Sequence, residues 1–136
     1  MKYKKVVFFI LIVMTLILST FIKNSDVSTN NTQKDITIRI KQGTLTKSSL
    51  VLIIENNSNK NYTYTDEFEI QIMKNKKWSK IECDDCWFNL PIHTIDPKEK
   101  TEIICDWKRM YGDLETGTYR IIKKFNNKNI HVIFQI

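Results

Sequence analysis

From Asp35 onward, apolar side chains recur at every second position. Ile36, Ile38 and Ile40 alternate with Thr37, Arg39 and Lys41. Leu50 to Ile54 is a continuous apolar run, bounded by Ser48-Ser49 and Asn56-Asn57-Ser58-Asn59. Phe68, Ile70 and Ile72 alternate with Glu67, Glu69 and Gln71; Asn75-Lys76-Lys77 reads as a turn, and Trp78 with Ile81 starts a returning strand. Three further sets each share one parity: Ile103, Cys105 and Trp107; Tyr119, Ile121, Lys123 and Phe125; Ile130, Val132, Phe134 and Ile136. A period of two with turn residues between the runs marks half-buried strands. The pattern predicts strands over 36–41, 48–56, 67–73, 78–82, 101–107, 118–125 and 130–136. Helical spacing is confined to one short turn at Lys108–Leu114.

Seven such strands within residues 35–136 predict an all-β fold, an immunoglobulin-like β-sandwich of about seven strands. Gly117-Thr118-Tyr119 adds a local cue, because a tyrosine at the start of the sixth strand is where a tyrosine corner forms. The candidate core is Leu50, Leu52, Ile54, Phe68, Ile70, Ile72, Trp78, Ile103, Trp107, Tyr119, Ile121, Val132 and Phe134.

The first 34 residues follow neither period. Lys2, Lys4 and Lys5 precede Val6–Ile22, an uncharged run whose polar members are Thr15, Ser19 and Thr20. As a helix this hydrophobic segment rises about 26 Å, close to a hydrocarbon core of about 30 Å. Flanking lysines that snorkel cover the difference. No small-x-small cleavage site follows Leu18, so residues 1–23 read as a retained membrane anchor or uncleaved signal, with secretion after cleavage as the alternative. The basic N-terminus places the rest of the chain outside the cell. The lipid bilayer, met through Val6–Ile22, is then the first expected partner. Residues 24–34 are polar and read as a flexible tether.

Charge excludes one class of partner. Four of the 21 basic residues are Lys2, Lys4, Lys5 and Lys23, and all 15 acidic residues lie beyond position 23. Residues 24–136 therefore carry 17 basic groups against 15 acidic ones. Nucleic-acid binding needs a concentrated basic face, and this balance argues against it.

The chemistry-bearing stretch is Cys83-Asp84-Asp85-Cys86. In an exported protein a Cys-x-x-Cys loop closes locally, so Cys83 and Cys86 are a disulfide candidate. A thiol–disulfide protein is the alternative. Catalysis there needs a low thiol pKa, and two intervening aspartates oppose it. Cross-linking of either cysteine to Cys105 is a further possibility. Cys83, Cys86, His93 and Cys105 could ligate zinc, but C-x2-C-x6-H-x11-C matches no common zinc spacing. Cys105 shares the parity of Ile103 and Trp107 and reads as a buried thiol. The sequence offers no catalytic constellation, and it calls for no metal and no cofactor.

Two contact sets remain. With the third, sixth and seventh strands in one sheet, the outward positions are Glu67, Glu69 and Gln71; Arg120, Ile122 and Lys124; His131, Ile133 and Gln135. Opposed charges on neighbouring strands stabilise such a sheet, and Ile122 and Ile133 stand out as apolar partner contacts. The second set is Tyr62, Tyr64, Trp87 and Phe88, read as exposed aromatics in connecting loops.

Several segments together carry a resemblance. They are Leu50-Val-Leu-Ile-Ile-Glu-Asn-Asn-Ser, Tyr62-Thr-Tyr-Thr-Asp-Glu-Phe, Lys77-Trp78, Asp96-Pro97, Asp106-Trp107, Tyr111-Gly112-Asp113-Leu114 and Gly117-Thr118-Tyr119-Arg120-Ile121. Residues 44–126 resemble a bacterial immunoglobulin-like domain family found in exported and membrane-attached proteins of Firmicutes. The resemblance implies a sandwich fold, an extracytoplasmic location and no catalytic residues. The Cys83/Cys86 pair and the missing lipid-anchor cysteine depart from it. The function it points to is non-enzymatic: an anchored domain that contacts an unknown protein or cell-wall component.

Overall fold

In a computed structural model, residues 35–83, 86, 88 and 90–136 are described. The helix expected over Val6–Ile22 and the tether over 24–34 lie outside them. Nine strands and one short helix follow in order: β1 Ile36–Ile40, β2 Ser49–Asn56, β3 Tyr62–Tyr64, β4 Glu69–Lys74, β5 Lys77–Lys80, β6 His93–Ile95, β7 Lys100–Asp106, α1 Lys108–Tyr111, β8 Thr118–Phe125 and β9 Lys128–Gln135.

One layer is the antiparallel sheet β1-β2-β7 and the other is β5-β4-β8-β9. The alternation decides which face each strand buries. Ile36 and Ile38, Leu50, Leu52 and Ile54, and Cys105 point inward from the first sheet; Ile70, Tyr119, Ile121, Phe125, Ile130, Val132 and Phe134 meet them from the second. The sheets belong to a single apolar cluster, as expected for a sandwich whose inner faces interdigitate.

The seven expected strands all form, within two residues at most ends. A third, two-stranded sheet, β3-β6, is additional. It brings Tyr62, Tyr64 and Ile95 into the core at one end of the molecule. Polar clamps hold it there. Asn126, at φ 49° in the β8–β9 turn, accepts at Oδ1 from Thr63 N (2.8 Å) and Thr63 Oγ1 (2.9 Å) and donates its own N–H to Thr63 O (2.8 Å). Buried Asn56 donates from Nδ2 to the carbonyls of Lys60 (2.7 Å) and Asp96 (2.9 Å). The segment entering from residue 34 arrives at the same end: Asn57 N donates to Asp35 O at 2.7 Å.

The opposite end is closed by aromatic packing. Trp107 packs against Phe134 with ring centroids 5.8 Å apart, and Phe134 stacks on Tyr119 at 5.7 Å. Tyr119 Oη donates to Glu115 O at 2.8 Å. That bond is the tyrosine corner. Gly117 packs closely beside it: an added Cβ would stand 3.2 Å from the Tyr119 ring, which would have to shift.

Candidate functional site

The outer face of β5-β4-β8-β9 carries a surface groove. This groove, of about 500 Å³, runs along β8, lined by Glu67, Phe68, Glu69, Gln71, Arg120, Ile122, Lys124, Asn129 and His131. The register explains it. Gln71 pairs with Arg120, Glu69 with Ile122, and Ile122 with His131. Alternation then sends all of these side chains to the same, outward face.

The upper part of the groove is braced. Gln71 Oε1 accepts from Arg120 Nε (2.8 Å) and Nη2 (2.5 Å), while Gln71 Nε2 donates to Glu69 Oε1 (2.5 Å). Lys80 Nζ lies 3.2 Å from Glu69 Oε2, a bond that raises the lysine pKa above its ordinary value. The Arg120 guanidinium sits 4.6 Å over the Trp78 ring. Burial, with Arg120 nearby, lowers the His131 pKa below its ordinary value, so near neutral pH this wall carries a neutral imidazole.

Trp78 was expected in the core and belongs to this outer face instead. Asn75 and Lys76 both adopt positive φ, 50° and 63°, the geometry of a two-residue hairpin loop. Such a loop sets Trp78 opposite outward Met73. Counting from the turn, rather than from the nearest apolar neighbour, finds this residue.

Ile122 and Ile133 are half-buried on this face. They stand diagonally, because Ile122 pairs with His131 and Ile133 with Arg120. The aromatic set fares differently. Tyr62 and Tyr64, expected as exposed loop residues, are buried at 5% and 8% exposure as the inward positions of β3. Phe88 is half-buried and packs edge-on against Phe68 with centroids 5.2 Å apart, so it covers the core. Trp87 lies outside the described residues. The exposed large apolar side chains are Leu90, Ile92 and Ile104.

Cys83 and Cys86 form a disulfide, with Cα atoms 5.7 Å apart. Cys105 is a free, buried thiol whose pKa burial pushes up to about 12. Oxidation removes two of the four residues considered for zinc, and His93 is engaged elsewhere, with Nε2 2.8 Å from Asp66 Oδ1 and the ring stacked on Tyr64. The chain-entropy model assigns a four-residue loop about 2 kcal/mol. Chemical denaturation of the Cys83→Ser/Cys86→Ser variant is expected to show a loss of that size. An unchanged denaturation midpoint would mean that the disulfide constrains nothing relevant to folding.

Residues 30–135 match the family model described as a bacterial Ig-like domain. The chain belongs to the bacterial Ig-like domain family. Among solved structures, the archaellum periplasmic stator protein FlaG from Sulfolobus acidocaldarius is similar over 73% of this chain and 99% of its own, at 12% identity and a TM-score of 0.44. No curated protein matches the chain. In this Ig-like domain the groove face is built by strands that the family sequence match covers in full.

Proposed function

We propose that this Ig-like domain is a non-enzymatic binding module held outside the cell by Val6–Ile22, and that it contacts a protein or envelope component through the outer face of β5-β4-β8-β9. The observation that carries the binding role is the groove on that face, where apolar Ile122 lies between Arg120 and Lys124. The lining is mainly polar and charged, with Phe68 and Ile122 as its apolar members. The family membership supports an interaction role, and the apolar run after Lys2, Lys4 and Lys5 supports the anchor. Membrane fractionation tests the location. The chain is expected to stay in the pellet after a carbonate wash and to be cleaved by protease added to intact cells without a wall. Release by carbonate would favour secretion after cleavage, and protection from protease would refute the outward orientation.

The Cys83–Cys86 disulfide keeps the exported thiol–disulfide protein as a second reading. After reduction, a thiol pKa near 7 or below would favour that enzyme over a structural bridge.

A further inference from the structure

The groove face has a charge layout that fits one particular partner. Acidic groups stand on the β4 side and basic groups on β8: Glu67 and Glu69 face Lys124 and Arg120 across the groove. Glu69 and Arg120 are already engaged within the chain. Glu67 and Lys124 are not. Both are exposed at the lower end of the groove, Glu67 two residues before Glu69 and Lys124 two residues after its partner Ile122; neither side chain makes a hydrogen bond or close ion pair among the described residues, and Glu67 feels the Lys80 and Lys123 ammonium groups at longer range.

We infer that this face packs against the same face of a second copy of the chain, about a two-fold axis parallel to the strands between β4 and β8. The inference rests on the proposed role of this face as a binding surface and names its partner. An axis in that direction lays β4 over the partner's β8 at the same level. Each Glu67 then meets a Lys124 of the other copy, twice by symmetry, and Ile122 of both copies is covered near the axis. The other in-plane two-fold, perpendicular to the strands, lays each strand over its own copy. It sets the glutamates over glutamates and Lys124 near Arg120, which like-charge repulsion disfavours. The favoured axis also keeps both Asp35 ends at one pole, where the chain enters the sandwich. Two chains anchored in one membrane need that arrangement. Isologous pairing of this kind is the commonest closed symmetry of soluble assemblies.

The test is a charge swap on the full chain in detergent micelles, followed by sedimentation equilibrium, with thermal melting to verify each fold. The wild type is expected to be dimeric. Glu67→Lys and Lys124→Glu are each expected to weaken self-association by about tenfold or more. The Glu67→Lys/Lys124→Glu double variant is expected to regain it, because the exchanged charges again meet across the axis. A monomeric wild type at roughly millimolar concentration, single variants that dimerise normally, or a double variant that stays dissociated would each overturn the dimer. Those results leave carbonate retention and protease access unaffected, so failure of the dimer is distinct from failure of the anchored-module reading.

Discussion

Trp107→Ala is expected to destabilise the domain by about 4 kcal/mol, the upper part of the range for aromatic truncation in a core. Trp107 is fully buried at the end of β7, and its ring fills the space between the sheets beside Phe134. Its Nε1 donates to Lys47 O at 2.9 Å, and its backbone N–H donates to Ser48 O at 2.9 Å. The carbonyl of the same residue accepts from Met110 N and Tyr111 N, which starts α1. Alanine keeps the backbone bonds, and Lys47 O still accepts from Leu114 N at 2.8 Å, but removal of the ring leaves a cavity. Close-packed interiors relax only partly around such a deletion. Trp107→Phe keeps most of the ring and loses the Nε1 bond, so a smaller loss of about 1–2 kcal/mol is expected. Urea denaturation with circular dichroism measures both variants. If Trp107→Ala lost no more than Trp107→Phe, cavity formation would not be the governing term.

The contrast between the two ends of the sandwich shows what the alternation makes legible. At the Trp107 end, long strands repeat their parity several times, so Trp107, Tyr119 and Phe134 were assigned inward from sequence and are inward in the structure. Tyr119 was legible twice, by parity and by Gly117 two residues before it. At the other end the informative runs are three residues long. Tyr62-Thr63-Tyr64 does alternate, but three residues among Asn, Lys, Thr and Asp give too short a period to separate a strand from a polar loop. Its pairing with His93–Ile95 spans 29 or more positions and depends on contacts with Asn126 and Asn56, which no local pattern encodes. Trp78 shows a different failure. Its apolar character suggested burial, whereas the turn geometry governs its face, and Arg120 supplies the ring with a cation. The groove was legible only as a list of outward residues. Its depth, and the engagement of some charges and not others, depend on the curvature of the sheet and on side-chain reach.

Lys123→Ala is expected to cost about 4 kcal/mol, from the lost burial of its stem and from two backbone carbonyls left without a donor. Alternation places Lys123 inward on β8, between Ile121 and Phe125, and it is 1% exposed. Its Nζ donates to Thr65 O (2.5 Å) and Glu67 O (2.9 Å) and lies 5.6 Å from the centre of the Tyr64 ring. The lysine thus fastens the β3–β4 connection to β8, directly beneath Glu67 and the lower end of the groove. Lys123→Met retains the stem and removes the donors, so about half the loss is expected. A pH series separates the charge from the packing. Burial holds the Lys123 pKa below the ordinary lysine value of 10.5, against the opposing pull of Cys105, Asp66 and Glu67. Between the folded value and 10.5 the unfolded chain therefore binds more protons at this site, and stability contributed by Lys123 rises with pH. Other groups titrate in the same region with the opposite sign, Cys105 among them, so the informative quantity is the difference between wild type and Lys123→Met. That difference is expected to widen as the pH climbs toward 10.5. A constant or narrowing difference would mean that the ammonium is not paying a desolvation penalty, and that its two carbonyl partners and the Tyr64 ring replace water in full.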